Sequence, residues 1–179
     1  ETLMSTFNLT DIQSRAIVDM RLRQLTGLEQ DKLRSEYDEL LKLINYLNEI
    51  NDVFNKYSEI DFIGGKILPL WSSDKPDWIK GSLLGALAML DYGDQPFIIN
   101  SNASKSELSN KIFFGANFAF RKEMFIKYGG FDVKKVVAED TEMCLRLYAK
   151  GIKGLYAPNV VVHHKVPVTR TTPQYFYQW

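Results

Sequence analysis

A single cysteine, Cys144, stands among 179 residues, with only two histidines beside it. One thiol excludes an internal disulfide and a cysteine-rich metal centre, so a reducing compartment, the cytoplasm, is the expected setting. An excess of either charge is missing as well, since 22 basic residues balance 22 acidic ones. No overall field therefore recruits nucleic acid or a membrane surface. No apolar run approaches the ~20 residues of a membrane-spanning helix, and the first residues do not read as a signal peptide. A first residue of Glu1 rather than Met makes a fragment the expectation. What is present is 45% hydrophobic and 13% aromatic, enough to pack one ordinary domain or two small ones. The neutral total hides a division. Residues 1–50 carry six Lys/Arg and nine Asp/Glu, a net of −3, against sixteen and thirteen, +3, in the remainder.

The first fifty residues predict helices. Thr10 and Gln13 in "LTDIQSRAIVDMRLRQL" form a capping box, and Leu9, Ile12, Ala16, Ile17 and Met20 share a face. Thr26 and Glu29 repeat the box. Leu33, Tyr37, Leu40, Ile44 and Leu47 then follow at steps of four, three, four and three, the 3.5-residue seam of a coiled coil. An amphipathic helix lying on its own domain has the same spacing. Through "QSRAIVDMRLRQLTGLE" and "EYDELL", the stretch Leu3 to Ile44 resembles the gyrase A proteins of bacterial type IIA topoisomerases. The resemblance implies a dimerisation segment over residues 1–50, hence a homodimer contact. That family's DNA-cleaving tyrosine and winged helix lie upstream of the matched stretch, so neither topoisomerase activity nor nucleic-acid binding is implied. After Leu47, Ile50 comes at a second consecutive step of three, as in a stammer, and the composition turns to Gly, Pro and aromatics. Asn48 to Asp52 reads as a join between unrelated segments. An ordinary helix end leading into a second domain is the alternative.

From Val53 the pattern alternates strands and helices, an α/β or α+β layout. "DFIGGKILPLW" predicts a strand in which Gly64 and Gly65 let another backbone approach. "IKGSLLGALAML" predicts a helix weakened by two glycines. "QPFIIN" predicts a short strand, and "IFFGANFAFRKEMFIKYGGFD" a strand and a helix closed at Gly129-Gly130. "EDTEMCLRLYAKG" predicts a helix, and "IKGLYAPNVVVHHKVP" a final pair of strands.

Glu139, Asp140 and Glu142 crowd the start of that helix. Acids there are favoured by the helix dipole, at about 0.3–1 kcal/mol each. They are equally placed for proton transfer if one projects within reach of a hydroxyl. Arg146 stands one turn beyond Glu142, at surface ion-pair spacing. Trp71 and Trp78 can stack on a sugar face or pack in a core. Cys144 lies in the helix interior and reads as core.

The order "FFGANFAFRKEMFIKYGGFD", "EDTEMCLRLYAKG", "LYAPNVVVHHKVP", preceded by "GGKILPLW" and followed by "TPQYFYQW", resembles the C-terminal half of family 2 glycosyltransferases of the GT-A fold. The match covers residues 53–179. The whole chain is then a partial GT-A-like half preceded by an α-helical coiled-coil segment. The resemblance implies transfer of a sugar from a nucleotide-sugar donor to a glycan acceptor hydroxyl. By it, Asp140 is the general base, Glu139 shapes the acceptor pocket, and Gly115, Ala116 and Asn117 line the donor sugar. Trp78 and Arg146 fall to the substrate side. His164 is a metal ligand in some relatives, which use Mn²⁺ or Mg²⁺; a satisfied strand-end histidine is the other reading. The family's Asp-X-Asp motif belongs to a donor-binding half that nothing before Val53 resembles. "DYGD", Asp91 to Asp94, has the wrong spacing for it. The expectation is a chain that completes no transfer alone.

Overall fold

The computed structural model describes residues 2–19, 27–99, 108, 110–135 and 137–177. The chain forms two compact units, Glu1–Asn45 and Tyr46–Trp179.

In the first unit, helices α1 (Thr2–Phe7) and α2 (Asp11–Asp19) precede α3, which begins at Gly27. The Thr10 capping box forms: its N–H donates to Gln13 Oε1 at 2.8 Å, and the Gln13 N–H donates back to Thr10 Oγ1 at 3.2 Å. The apolar face expected on α2 is not the covered one, since Ile12 is exposed and Ser14 buried. Met20 and Thr26 lie outside the described residues. Leu33, Tyr37, Leu40 and Ile44 of α3 are 49–61% exposed, a stripe that the described residues leave open.

Helix α3 runs unbroken from Gly27 to Lys56. The join expected at Asn48–Asp52 therefore leaves no break in the backbone. No Gly or Pro lies between Leu28 and Tyr57, so nothing stops propagation once the helix has started. What changes is the buried face. Leu47 is still exposed, whereas Tyr46, Ile50, Val53, Phe54 and Tyr57 pack against the sheet.

The second unit is built on a mixed sheet of order β2-β4-β1-β3 (β1 Phe62–Trp71, β2 Phe97–Ile99, β3 Phe118–Phe120, β4 Gly154–Val166). The central pair β1 and β4 is parallel; β3 and β2 join it antiparallel. Both faces of the central pair are covered, so its strands read as near-continuous apolar runs. Side chains alternate between the faces. Ile63, Leu155 and Val160 meet the end of α3, while Phe62 and Ile67 join Phe113, Met143, Leu147 and Tyr148 on the other side. The rings of Phe113, Phe118, Phe120 and Tyr148 stand 5.6–6.1 Å from that of Phe62, whose full burial contributes about 1.5–3 kcal/mol.

Two sequence expectations change here. The final strand pair is one strand, β4, with a register break: Gly65 faces Ala157, and the next residue, Lys66, faces Val161. Pro158 has no N–H to give the ladder, and the extra residues bulge instead of turning back. "IKGSLLGALAML" is helical only over Leu83–Ala86, here α4. Its glycines weaken the helix, and Leu90 is drawn away to exchange backbone hydrogen bonds with Ile67. Further along the chain lie the α-helices α5 (Lys122–Tyr128), α6 (Glu139–Ala149) and α7 (Pro173–Tyr177). Among the described residues no helix is long and apolar enough to cross a membrane.

Candidate active site

The first turn of α6 separates its three acids by what each one touches. Ala138, at the N-cap position, has φ +62° and offers no side-chain cap. Asp140 is half-buried, and its carboxylate reaches out of the helix. Its Oδ2 accepts the Gly115 N–H at 2.9 Å, and its Oδ1 accepts the Thr141 N–H at 2.6 Å. A carboxylate held from two sides keeps lone pairs free for a hydroxyl donor, since each oxygen accepts about two bonds. Glu142 is spent on Arg146, Oε1 to Nε at 2.8 Å. Glu139 is half-buried beside Asp140.

Gly115, Ala116 and Asn117 form one 3₁₀ turn leading into β3. Gly115 and Ala116 are exposed, while Asn117 is 2% exposed and faces inward. Its Nδ2 donates to the carbonyls of Lys66 (2.9 Å) and Val160 (2.8 Å), and its Oδ1 accepts the Tyr46 hydroxyl at 2.9 Å. Both amide hydrogens are spent inside the fold, so the side chain has no donor left for a ligand.

Arg146 is occupied in the same way. Its guanidinium donates to the carbonyls of Tyr128 and Gly130, each at 2.6 Å, as well as to Glu142. It fastens α6 to the glycine pair that closes α5, where Gly129 adopts φ +80°. Charge-assisted bonds of this kind contribute about 1.5–3 kcal/mol each when desolvated, less at a half-exposed site. Arg146→Ala is therefore expected to cost about 2 kcal/mol and lower the melting temperature by about 5 °C, read by thermal denaturation.

Trp78 is 40% exposed and meets Phe176 of α7 edge-on at 5.3 Å. His164 is half-buried on β4, opposite Pro69 of β1. Among the described residues no three His, Cys, Asp or Glu side chains gather as metal donors. One imidazole does not make a site for Mn²⁺ or Mg²⁺, which take several oxygen ligands. The described residues thus do not fit such a metal. Asp140 lines neither neighbouring cavity. Ala138 and Thr141 line one of about 440 Å³, and Phe114 lines another of about 460 Å³ with Ile67, Pro69, Leu84 and Tyr92.

An ionic cluster stands on β1 outside the expected site residues. Lys66 Nζ lies 3.1 Å from Asp91 Oδ1 and 2.7 Å from Asp94 Oδ1, so the "DYGD" acids are a clamp for a lysine. Those bonds raise the Lys66 pKa above its ordinary value. Burial alone would raise that of Asp91, but the Gly93 N–H and the Lys66 ammonium outweigh it and hold the carboxyl below its ordinary range. The signal was in the sequence: a lysine inside an apolar strand needs carboxylate partners. Burial pushes the Cys144 thiol up to about 12, in keeping with a core residue.

The two parts of the chain resemble different proteins. Residues 43–179 match the family described as "Glycosyl transferase family group 2". Over the N-terminal region, 48 residues (27% of this chain) are 65% identical to the gyrase A protein of Streptococcus pyogenes, covering 6% of that protein. The gyrase A protein of Deinococcus deserti is 58% identical over 50 residues, 28% of this chain and 6% of that one. That of Streptococcus pneumoniae is 42% identical over 90 residues, 40% of this chain and 11% of that one. The chain thus spans about a tenth or less of the length of these curated relatives. No solved structure matches. The family match begins at residue 43, ahead of Asn48–Asp52 and inside α3.

Proposed function

We propose, from the premise that this chain belongs to glycosyl transferase family group 2, that residues 43–179 are the acceptor side of a sugar transfer from a nucleotide-sugar donor to a glycan hydroxyl. The observation that carries the reading is the Asp140 carboxylate, held from two sides at the tip of α6 by Gly115 and Thr141. A helix-dipole role alone does not call for a bond to a turn 25 residues away. Asp140 takes the proton of the acceptor hydroxyl as its oxygen bonds to the anomeric carbon. The bond from that carbon to the diphosphate breaks, and the nucleoside diphosphate leaves with the electron pair. Glu139, half-buried beside it, faces the acceptor on this reading. Gly115 and Ala116, small and exposed, leave room for the donor sugar.

The departing diphosphate needs a cationic grip, usually the largest electrostatic contribution to such a reaction. The described residues gather no such donor set. On this reading the metal and the nucleotide are held by the family's donor-binding half, which carries the Asp-X-Asp motif, and residues 43–179 act on the acceptor. The test is transfer from a panel of labelled nucleotide-sugars with Mn²⁺, in the presence and absence of the N-terminal half of a family member. Turnover is expected only in the combined sample. Turnover by residues 1–179 alone overturns this division of labour.

The exposed seam of α3 favours a second role, self-association. Leu33, Tyr37, Leu40, Ile44 and Leu47 stand at heptad spacing and open to solvent, and a second copy of the helix would bury them. Sedimentation of the full chain is expected to show a dimer that Leu40→Glu with Ile44→Glu converts to monomer. A wild-type monomer at micromolar concentration removes this role.

A further inference from the structure

Hydrogen bonds run without a gap from helix α3 to the Asp140 carboxylate. The register break in β4 sets the chain of bonds up. At the register break between β1 and β4, the Asn117 amide donates to the carbonyls of Lys66 and Val160. The Asn117 carbonyl oxygen accepts the Tyr46 hydroxyl. Burial raises the Tyr46 pKa, which keeps that hydroxyl protonated and able to donate. The Asn117 backbone N–H donates to the Phe114 carbonyl at 3.0 Å and closes the turn. That carbonyl shares one planar peptide with the Gly115 N–H, so fixing it fixes the direction of the N–H, which donates to Asp140 Oδ2 at 2.9 Å.

Resting on Asp140 as the acceptor-side base, we propose that Tyr46 and Asn117 are positioning residues that aim the Gly115 N–H and, through it, the Asp140 carboxylate. Neither side chain reaches the reacting atoms. Tyr46 lies in the part of α3 shared by the family match and the run of apolar helix residues, so that helix is a working part of the site rather than an appendage.

The test reads the Gly115 amide of the full chain by nitrogen-15 NMR and needs no turnover. Asp140→Ala removes the acceptor of that N–H and is expected to move the Gly115 amide shift and to abolish the amide's exchange protection. Tyr46→Phe removes one oxygen and keeps the ring in place. It is expected to move the Gly115 amide shift part of the way to its Asp140→Ala position and to lower the amide's exchange protection about tenfold, while amides at the far ends of β1 and β4 keep theirs. An unchanged Gly115 in Tyr46→Phe overturns the proposal, as does a uniform loss of protection across the sheet, which marks Tyr46 as merely structural. Tyr46→Phe remains informative where Asn117→Ala fails to fold. A wild-type Gly115 amide that ignores Asp140 counts against the site reading itself, a separate outcome from failure of the relay.

Discussion

Gly65→Ala is expected to abolish stable folding, although it adds a single methyl group. A Cβ at that position overlaps the Asn117 Nδ2 and the Val160 carbonyl oxygen. The oxygen belongs to the backbone of the central strand β4 and cannot swing aside, so the Asn117 amide has to leave. Its departure takes the Asn117 donor from the Lys66 and Val160 carbonyls and removes the acceptor of the Tyr46 hydroxyl. Each buried polar group left unpaired costs about 1–3 kcal/mol, and the overpacking itself about as much again. The sum is on the order of 5 kcal/mol, comparable with the whole stability of an ordinary domain. Gly85→Ala is the control: nothing lies within 4 Å of its added Cβ, it sits in α4, and helix propensity favours alanine there. Denaturant unfolding followed by circular dichroism is expected to show Gly85→Ala at or slightly above wild-type stability and Gly65→Ala with no cooperative transition. A normal transition for Gly65→Ala means that the register break is softer than its geometry implies.

Much of this is legible in the sequence because the relevant patterns are local. The Thr10 capping box needs only two residues three apart, and its bonds form as expected. The strand around Gly64-Gly65 and the close approach it requires are visible too, since a glycine pair inside an apolar strand has few other uses. The helix of Glu139–Ala149 and its Arg146–Glu142 pair also follow from spacing. What is not legible depends on partners distant in sequence. Nothing near Asn117 shows that its amide caps two carbonyls in other strands, or that Tyr46, 71 positions away, answers its oxygen. The continuity of α3 through Asn48–Asp52 is hidden because a change of buried face has the same sequence pattern as a change of backbone. The helix keeps its hydrogen bonds while its apolar stripe moves onto the sheet. The single strand β4 reads as two because Pro158-Asn159 carries a turn's composition, and a bulge uses the same residues.

Asp140→Asn is expected to lower transfer by on the order of a thousandfold, within the 10²–10⁴ that a positioned base contributes. The size follows from what the substitution keeps. Asparagine has the same shape, and its one carbonyl oxygen can still accept the Gly115 N–H and keep the turn seated, while the Thr141 N–H loses its acceptor to the amide nitrogen. The charge is lost from a helix N-terminus, which costs the fold about 0.3–1 kcal/mol, too little to unfold it. Lost as well is a site that can receive the acceptor proton as the glycosidic bond forms. The effect should therefore fall on kcat with KM for the acceptor nearly unchanged, the mark of an interaction made in the transition state. With Asp140 as the proposed base and Glu139 as its proposed neighbour on the acceptor side, Glu139→Gln is expected to move KM more than kcat. The measurement uses the chain combined with a donor-binding half, with initial rates at saturating nucleotide-sugar and varied acceptor. A loss within threefold takes Asp140 out of the chemistry and returns it to the helix dipole. A loss shared equally between kcat and the melting temperature identifies it as a strut for the Gly115 turn.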